Sequence, residues 1–341
     1  MTVLAIETSC DDTCAALVDR DGTIRANVVA SQHEHDRFGG VVPEIAARHH
    51  LQAIDAVIEH ALREADCSLD DVELVAATRG PGLIGALLVG LSAAKGIAAA
   101  RQLPFAAVDH IAGHVAANFL QAAGGPFEPP FICLVASGGH TLVAQVDARG
   151  SSRVLGTTLD DAAGEAFDKG ARLLGLGYPG GAALEALAAD GDPLAFAFPG
   201  SAAARHGRSR RSALDGSLDF SFAGLKTALL YKLRDLGEDE RAQRAPDLAA
   251  SYQAAIVDSL LDRCERALAA GAGGRLAVGG GVAANGALRR RLGELGVEVH
   301  LPPRELCTDN AAMIAAAALC QAPLPYPDYL DIDAYPSGGR P

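Results

Sequence analysis

Tryptophan is absent from this chain, methionine occurs twice, and aromatic residues make up 5% of the 341 positions. With few large flat side chains to fill space, helices and sheets are expected to approach one another across small residues, which alanine and 38 glycines supply. The seven cysteines are odd in number and include no C-x-x-C pair, which excludes a fully paired disulfide framework and a structural zinc knuckle. A reducing cytoplasm fits them. Long hydrophobic runs are also missing: the longest, Gly80 to Ala94, is cut by Lys95 and falls short of the roughly 20 residues that cross a bilayer. It reads as a buried helix, with no membrane association. No secretory segment is visible, because Met1 to Ile6 runs straight into Glu7-Thr8-Ser9, and the protein is expected to be cytoplasmic. Basic residues are outnumbered, 29 against 42 acidic ones, for a net charge of −13. Phosphate backbones repel such a surface, so nucleic-acid binding would need a local basic patch. Arg205-His-Gly-Arg208-Ser-Arg210-Arg211 and Arg289-Arg290-Arg291 are the candidates, and each also reads as a solvated face.

What is present is a folded globular composition, 49% hydrophobic and 21% charged, in a chain longer than one core usually organises. Strands are predicted at Val3 to Ile6, Ala15 to Val18 and Ile24 to Ala30, separated by turns at Thr8 to Asp12 and Asp19 to Gly22. The same order returns at Ile132 to Ala136, Leu142 to Val146 and Arg153 to Leu155, with turns at Ser137 to His140 and Asp147 to Gly150. Helices follow each meander: His49 to Ala65 and Leu83 to Arg101, then Ala163 to Leu174 and Leu248 to Leu268. Further strands at Leu74 to Ala77 and Leu276 to Val278 lead into glycine turns. This duplication is the pattern of the α/β actin-like ATPase (ASKHA) fold, two lobes that bind a nucleotide in the cleft between them. The division expected is an N-terminal lobe over 1–108, a C-terminal lobe over 109–325 with an insertion near 199–220, and a tail over 326–341. The turns Thr8 to Asp12 and Ser137 to His140 hold equivalent places in the two halves and would offer backbone N–H groups to phosphates.

Several segments carry chemistry. His110 and His114 stand four residues apart, so on a helix both imidazoles point the same way and can grip one metal ion. Two histidines can also share a helix face without a ligand. Asp309, in Cys307-Thr-Asp-Asn310 ahead of an alanine-rich helix, is either a helix cap or the third metal ligand. Two histidines and one carboxylate with open positions are associated with ferrous iron, and zinc accepts the same set. Ser137-Gly138-Gly139-His140 lets the main chain come close to an anion, since adjacent glycines permit positive φ; an ordinary hairpin turn is the alternative. Gly279-Gly280-Gly281-Val-Ala-Ala-Asn285 aims a helix N-terminus at a bound group, and Asn285 is either a reader of adenine or ribose or a plain N-cap. Asp160, Asp161, Glu165 and Asp168 crowd around a helix start with Lys169. Such crowding is costly unless a cation or a hydroxyl-rich ligand relieves it, and a helix N-terminus leaves Asp168 unexplained.

Ten blocks, in order and over nearly the whole chain, resemble the threonylcarbamoyltransferase subunit of the tRNA t6A machinery, a family formerly called O-sialoglycoprotein endopeptidase. They are Ile6-Glu-Thr-Ser-Cys-Asp-Asp-Thr13, Phe38-Gly-Gly-Val-Val-Pro-Glu44, Gly80-Pro-Gly-Leu-Ile-Gly-Ala-Leu-Leu-Val-Gly90, His110-x3-His114, Ser137-Gly-Gly-His-Thr141, Gly164-Glu-Ala-Phe-Asp-Lys169, Tyr178-Pro-Gly-Gly181, Phe220-Ser-Phe-Ala-Gly-Leu-Lys-Thr227, Gly279-Gly-Gly-Val-Ala-Ala-Asn285 and Cys307-Thr-Asp-Asn310. The resemblance implies an enzyme that takes threonylcarbamoyl-AMP and transfers its carbamoyl group to N6 of adenosine 37 in tRNAs reading codons that begin with A. It implies one Fe2+ per subunit, Zn2+ being acceptable, on His110, His114 and Asp309. It implies adenylate contacts at Val135, Ala136, Ser137, Gly138, Gly139, Asp168, Gly181 and Asn285, with Glu185 one turn after the glycine pair. The partners implied are a smaller actin-like paralogue and a P-loop ATPase.

Adenine N6 is a poor nucleophile, so the donor must be activated and the developing charge stabilised. His140 or a substrate phosphate oxygen is the candidate acceptor of the N6 proton. The sequence departs from the family pattern at Asp12 for Glu, at Arg79 ahead of Gly80, at Gly170 where Thr or Val is expected, and at Ala223 for Ser. Two rival readings are an actin-like kinase of a small molecule, which gives no reason for the paired histidines, and a nucleotide-dependent scaffold with a structural metal. A zinc protease ranks below both, because Ile111 occupies the place of its glutamate base.

Overall fold

A computed structural model describes residues 1–32, 34–122, 125–201, 216–271 and 274–337. The expected basic patch at Arg205, Arg208, Arg210 and Arg211 lies outside the described residues. The chain forms two compact units, one of residues 1–128, 148–150 and 302–341, the other of residues 129–147 and 151–301.

The first unit is built on a five-stranded sheet of order β3-β2-β1-β4-β5. Its strands are β1 (Thr2–Glu7), β2 (Asp12–Asp19), β3 (Ile24–Ser31), β4 (Leu74–Gly80) and β5 (Phe105–Asp109). β1 pairs antiparallel with β2 and parallel with β4, so it is central, and all six of its residues are buried. A central strand covered on both faces needs a continuous apolar run, and Val3-Leu4-Ala5-Ile6 provides it. Helix α1 (Pro43–Glu64) buries Ala46, His50, Ile54, Val57, Ile58 and Ala61 along one stripe. Helix α2 (Ile84–Arg101) packs against β1, β4 and α1 with Ala86, Leu87, Gly90, Leu91, Ala94 and Ala98, and leaves Ile84 and Leu88 exposed. It is long and apolar enough to pass for a membrane span, yet one face serves this core, and the expected buried helix is buried on that face alone. Helix α3 (His110–Ala116) follows β5 without a break.

The second unit repeats the plan. Its sheet has the order β10-β9-β6-β7-β8, formed by β6 (Phe131–Ala136), β7 (Thr141–Ala148), β8 (Ser151–Thr157), β9 (Arg275–Gly279) and β10 (Glu298–His300). β6 pairs antiparallel with β7 and parallel with β9, as β1 does with β2 and β4. Its helices among the described residues are α4 (Ala163–Leu173), α5 (Gly180–Ala188), α6 (Ala223–Asp235), α7 (Glu238–Ala270) and α8 (Gly286–Gly293). The short α9 (Arg304–Cys307) and the wholly buried α10 (Ala311–Ala318) return to the first unit.

The compact units therefore divide the chain differently from a boundary at 108/109. Asp109 is both the last residue of β5 and the N-cap of α3, so no boundary can fall there. Residues after 301 rejoin the first unit through α10 and through the pairing of Leu324 with Phe105, and Tyr329 belongs to its core. α7 begins at Glu238 rather than Leu248, carrying Pro246 inside it, because three acids in its first turn suit a helix N-terminus. All seven cysteines are free thiols.

Gly280 sits at φ +85°, and a Cβ there would lie 2.4 Å from the Ala136 carbonyl oxygen at the end of β6. Gly280→Ala is expected to cost at least about 2 kcal/mol and to lower the thermal unfolding midpoint by several degrees in a calorimetric scan.

Candidate functional site: a histidine pair and a set of carboxylate-filled helix ends

In the first unit, α3 starts where β5 ends because Asp109 Oδ1 accepts from the Ala112 N–H at 2.9 Å. His110 and His114 then fall on one face, with ring centroids 4.7 Å apart. Gly113 lies between them, and a Cβ there would be 2.9 Å from Ile314 Cδ1, so its lack of a side chain lets α10 lie close to α3. The residues just before α10 are thereby brought to the histidines. Asp309 Oδ1 lies 3.6 Å from His110 Nε2 and 3.4 Å from His114 Nε2. One donor atom from each of the three residues lies within 4.8 Å of the other two. The helix cap is Asn310, whose side chain accepts from the Met313 N–H at 3.0 Å, so capping does not account for Asp309.

Whether these groups suit a cation is answered by His114. It is fully buried, and neither ring nitrogen has a hydrogen-bond partner. A buried imidazole left in that state is costly, and coordination through Nε2, the nitrogen facing Asp309, would satisfy one of the two. The surroundings favour positive charge: burial opposes ionisation of His110, but the Asp309 and Glu7 carboxylates outweigh it and hold its pKa at about 9. Two imidazoles and a carboxylate are also the donor chemistry of ferrous iron or zinc.

Neither Glu7 nor Thr78 was singled out from sequence, and Ser9 entered only as part of the Thr8 to Asp12 turn. The one available signal was a carboxylate ending an otherwise apolar strand. Glu7 is fully buried and accepts from Thr78 Oγ1 at 2.6 Å, from His110 Nδ1 at 2.9 Å and from the Ser9 N–H. That last bond occupies an N–H expected to face a phosphate. His50 secures the same turn. Its Nε2–H donates to the Cys10 carbonyl at 2.9 Å, so its Nδ1 accepts from Thr13 Oγ1 at 2.8 Å. Asp12, largely buried, has its pKa pushed up to about 6 by that burial.

In the second unit the Ser137 to His140 turn closes with Ser137 N–H donating to the His140 carbonyl at 2.8 Å and His140 N–H to Ser137 Oγ at 3.2 Å. Val135 and Ala136 are buried in β6, while Gly138 and Gly139 are exposed. Neither of these glycines has the positive φ that the sequence reading invoked, and a Cβ on either would meet nothing within 4 Å. Their openness, not their torsion angles, is what they offer a ligand. The helix behind is held close: Gly164 N–H donates to the Ser137 carbonyl at 3.1 Å, and a Cβ on Gly164 would lie 2.8 Å from Gly138 Cα.

The acid cluster resolves into separate tasks. Asp160 caps α6, accepting from the Phe222 N–H at 2.7 Å and the Ala223 N–H at 3.2 Å. Lys169 relieves the crowding, with Nζ 2.6 Å from Asp161 and 2.9 Å from Glu165. Asp168 accepts from the Gly180 N–H at 2.8 Å and also from Gly181, so a helix N-terminus does account for it, that of α5. Burial still raises its pKa. Glu185, on α5, accepts from the Gly286 N–H at 2.8 Å and from Asn285 Nδ2 at 3.1 Å. Asn285 is the N-cap of α8, accepting from Leu288 N–H at 2.9 Å, and it also donates to Gln253 Oε1 at 2.9 Å. The amide that was to read adenine thus has both hydrogens engaged within the protein. Gln253 is a further residue that the sequence did not point to.

Of the departures from the family pattern, Gly170 is explained: a Cβ there would fall 2.4 Å from the Tyr252 ring, whose hydroxyl bonds the Ala166 carbonyl. Arg79 stacks over Tyr335, 5.4 Å from the ring centroid. Of the second candidate basic patch, Arg289 bonds the Ala283 and Leu301 carbonyls and Arg291 pairs with Asp258, while Arg290 and Arg291 stay exposed.

A family model described as TsaD: tRNA N6-adenosine threonylcarbamoyltransferase matches residues 23–316. A tRNA N6-adenosine threonylcarbamoyltransferase of Clostridium botulinum (strain 657 / Type Ba4) is 46% identical over 343 residues, covering 99% of this chain and 97% of the relative. One from Pelobacter propionicus is 51% identical over 320 residues, covering 92% and 90%. Among solved structures, component A of the Acidaminococcus fermentans (R)-2-hydroxyglutaryl-CoA dehydratase aligns with a TM-score of 0.54 at 16% identity, over 94% of this chain and 96% of that one. That likeness is one of fold.

Two outcomes are expected. His114→Ala, which breaks no hydrogen bond, should lower iron or zinc affinity by more than about 100-fold, beyond the loss of a supporting contact, as read by elemental analysis after dialysis. Retained metal would remove the trio from consideration. Gly138→Val should leave stability within about 1 kcal/mol, since the space is open, yet weaken AMP binding by about ten-fold or more in titration calorimetry.

Proposed function

Because the chain belongs to the tRNA N6-adenosine threonylcarbamoyltransferase family, we propose that it transfers the threonylcarbamoyl group of threonylcarbamoyl-AMP to N6 of adenosine 37 in tRNAs reading codons that begin with A. It is an acyltransferase on a duplicated actin-like fold, and tRNA is its substrate. The observation that carries the metal-assisted form of this reading is the buried, unbonded His114 beside His110 and Asp309.

The amine of adenine delocalises its lone pair into the ring, so the reaction depends on an activated donor held in place. In our reading Val135, Ala136, Ser137, Gly138 and Gly139 cradle the adenylate, the open glycines letting the phosphate reach main-chain N–H groups. Asp168 and Gly181 meet the donor at the start of α5, and Glu185 with Asn285 meets it at the start of α8. The Glu185–Asn285–Gln253 bonds keep those groups oriented beforehand. Fe2+, or Zn2+ in its place, is held by His110, His114 and Asp309. Bound there, the ion supplies Lewis acidity toward the threonine carboxylate or hydroxyl, or the carbamoyl oxygen. His140, half-buried at the end of its turn, or a substrate phosphate oxygen accepts the N6 proton. A smaller actin-like paralogue and a P-loop ATPase complete the assembly in the cytoplasm, a reading supported by the motif resemblance.

The purified chain with metal, the two partner proteins, threonylcarbamoyl-AMP and unmodified tRNA should yield threonylcarbamoylated adenosine, detected by mass analysis of the nucleosides. Asp309→Ala should reduce that yield by at least about 100-fold. Absence of the modified nucleoside from the complete mixture would overturn the assignment, and full yield from Asp309→Ala would overturn the metal's role in it.

A further inference from the structure

The Glu7 carboxylate is fully buried at the end of β1, and three groups from three different elements converge on it. They are the Ser9 N–H from the following turn, Thr78 Oγ1 from β4 and His110 Nδ1 from α3. Among the described residues, His110 is its one ion-pair partner; no lysine or arginine reaches it. A carboxylate removed from water needs donors around it, and the imidazole serves as one only with a proton on Nδ1. In the neutral ring that fixes Nε2 as the atom bearing a lone pair, and Nε2 is the nitrogen 3.6 Å from Asp309 Oδ1. His114 has no such support, since neither of its nitrogens has a hydrogen-bond partner. The two histidines are therefore unequal.

We infer that Glu7 is the positioning residue of the metal centre: it fixes the tautomer and ring orientation of His110 and strengthens Nε2 as a donor to a divalent cation, with Thr78 and the Ser9 N–H holding Glu7 in turn. This rests on the reading of His110, His114 and Asp309 as metal ligands. Removing a carboxylate that orients a ligand histidine weakens metal affinity by about 10–100-fold. Glu7→Gln keeps the shape and an acceptor but loses the charge, so it belongs at the low end. Glu7→Ala loses both and belongs at the high end. Thr78→Val leaves the carboxylate in place with one bond fewer, and a loss of a few-fold is expected.

The experiment titrates the metal-free full-length chain with Co2+, whose visible absorption reports the ligand field, in the parent and in the Glu7→Gln, Glu7→Ala, Thr78→Val and His114→Ala proteins. Thermal unfolding of each metal-free protein separates folding from binding. Supporting the inference are graded losses of Co2+ affinity in Glu7→Gln and Glu7→Ala with an altered absorption band, while the metal-free unfolding midpoint of Glu7→Gln stays near the parent's. If both Glu7 variants bind Co2+ as tightly as the parent with an unchanged band while His114→Ala does not bind, the inference is overturned and the metal centre stands. If His114→Ala also binds like the parent, the ligand reading fails and the inference falls with it. Should neither Glu7 variant fold, Thr78→Val decides, with unchanged affinity overturning the inference and a few-fold loss supporting it.

Discussion

A carboxylate at the end of a wholly buried strand can exist only where the fold brings donors to it, and Glu7 sets that condition for the first unit. Its three donors come from the turn after β1, from β4 and from α3, so one side chain ties together the segments that surround His110. The neighbouring contacts follow from the same requirement. Thr8 Oγ1 donates to the Ala86 carbonyl at 2.9 Å, and the Leu83 N–H to the Ser9 carbonyl at 2.8 Å, which binds the start of α2 to the turn. Gly82 allows this, since a Cβ there would lie 2.6 Å from the Ser9 oxygen. The tightness of this region is the cost of burying one charge where a histidine needs it.

The second unit solves a related problem at its helix ends. Three helices begin with a carboxylate against their free N–H groups: Asp160 at α6, Asp168 at α5 and Glu185 at α8. Each N-terminus carries a partial positive charge and unsatisfied donors, so a fixed anion there is stabilising. The consequence for ligand binding is specific. An anion approaching the start of α5, α6 or α8 would meet a helix end already neutralised, whereas the main chain of the Gly138-Gly139 turn is open to one. Hydroxyl or amine groups of a ligand would fit these carboxylates better than a phosphate would.

Much of this was legible in the sequence, for identifiable reasons. The duplicated meander could be read because period-two runs and turn residues are local signals, and both sheets adopt the same strand order. The histidine pair could be read because helical spacing is local too. Asp309 stayed ambiguous, since a carboxylate before a helix is a cap by default; the structure assigns the cap to Asn310 instead. The roles of Glu7 and Gln253 were not legible, because what gives them meaning is a partner 103 residues away for the first and 32 for the second. The return of residues after 301 to the first compact unit is hidden for the same reason, as nothing local in the sequence shows it.

The scarcity of large side chains, which carried no functional message as composition, acquires one from where the small residues stand. A Cβ on Gly113 would press on Ile314, one on Gly164 would press on Ser137 and Gly138, and one on Gly90 would come within 2.3 Å of Thr8 Oγ1. In each case a helix lies against a segment that carries a proposed ligand or supports one, at a distance no larger residue permits. α10 shows the same principle over a whole element: Ala-Ala-Met-Ile-Ala-Ala-Ala-Ala is apolar all round and all eight residues are buried, so it threads among α3, β1 and β2 as a thin rod. A bulkier helix could not lie close enough to α3 to carry Asp309 to within 3.4 Å of His114 Nε2. Small residues are thus the means by which proposed ligand atoms far apart in sequence are set ångströms apart, and exchanging them for larger core residues would fill space at the expense of that geometry.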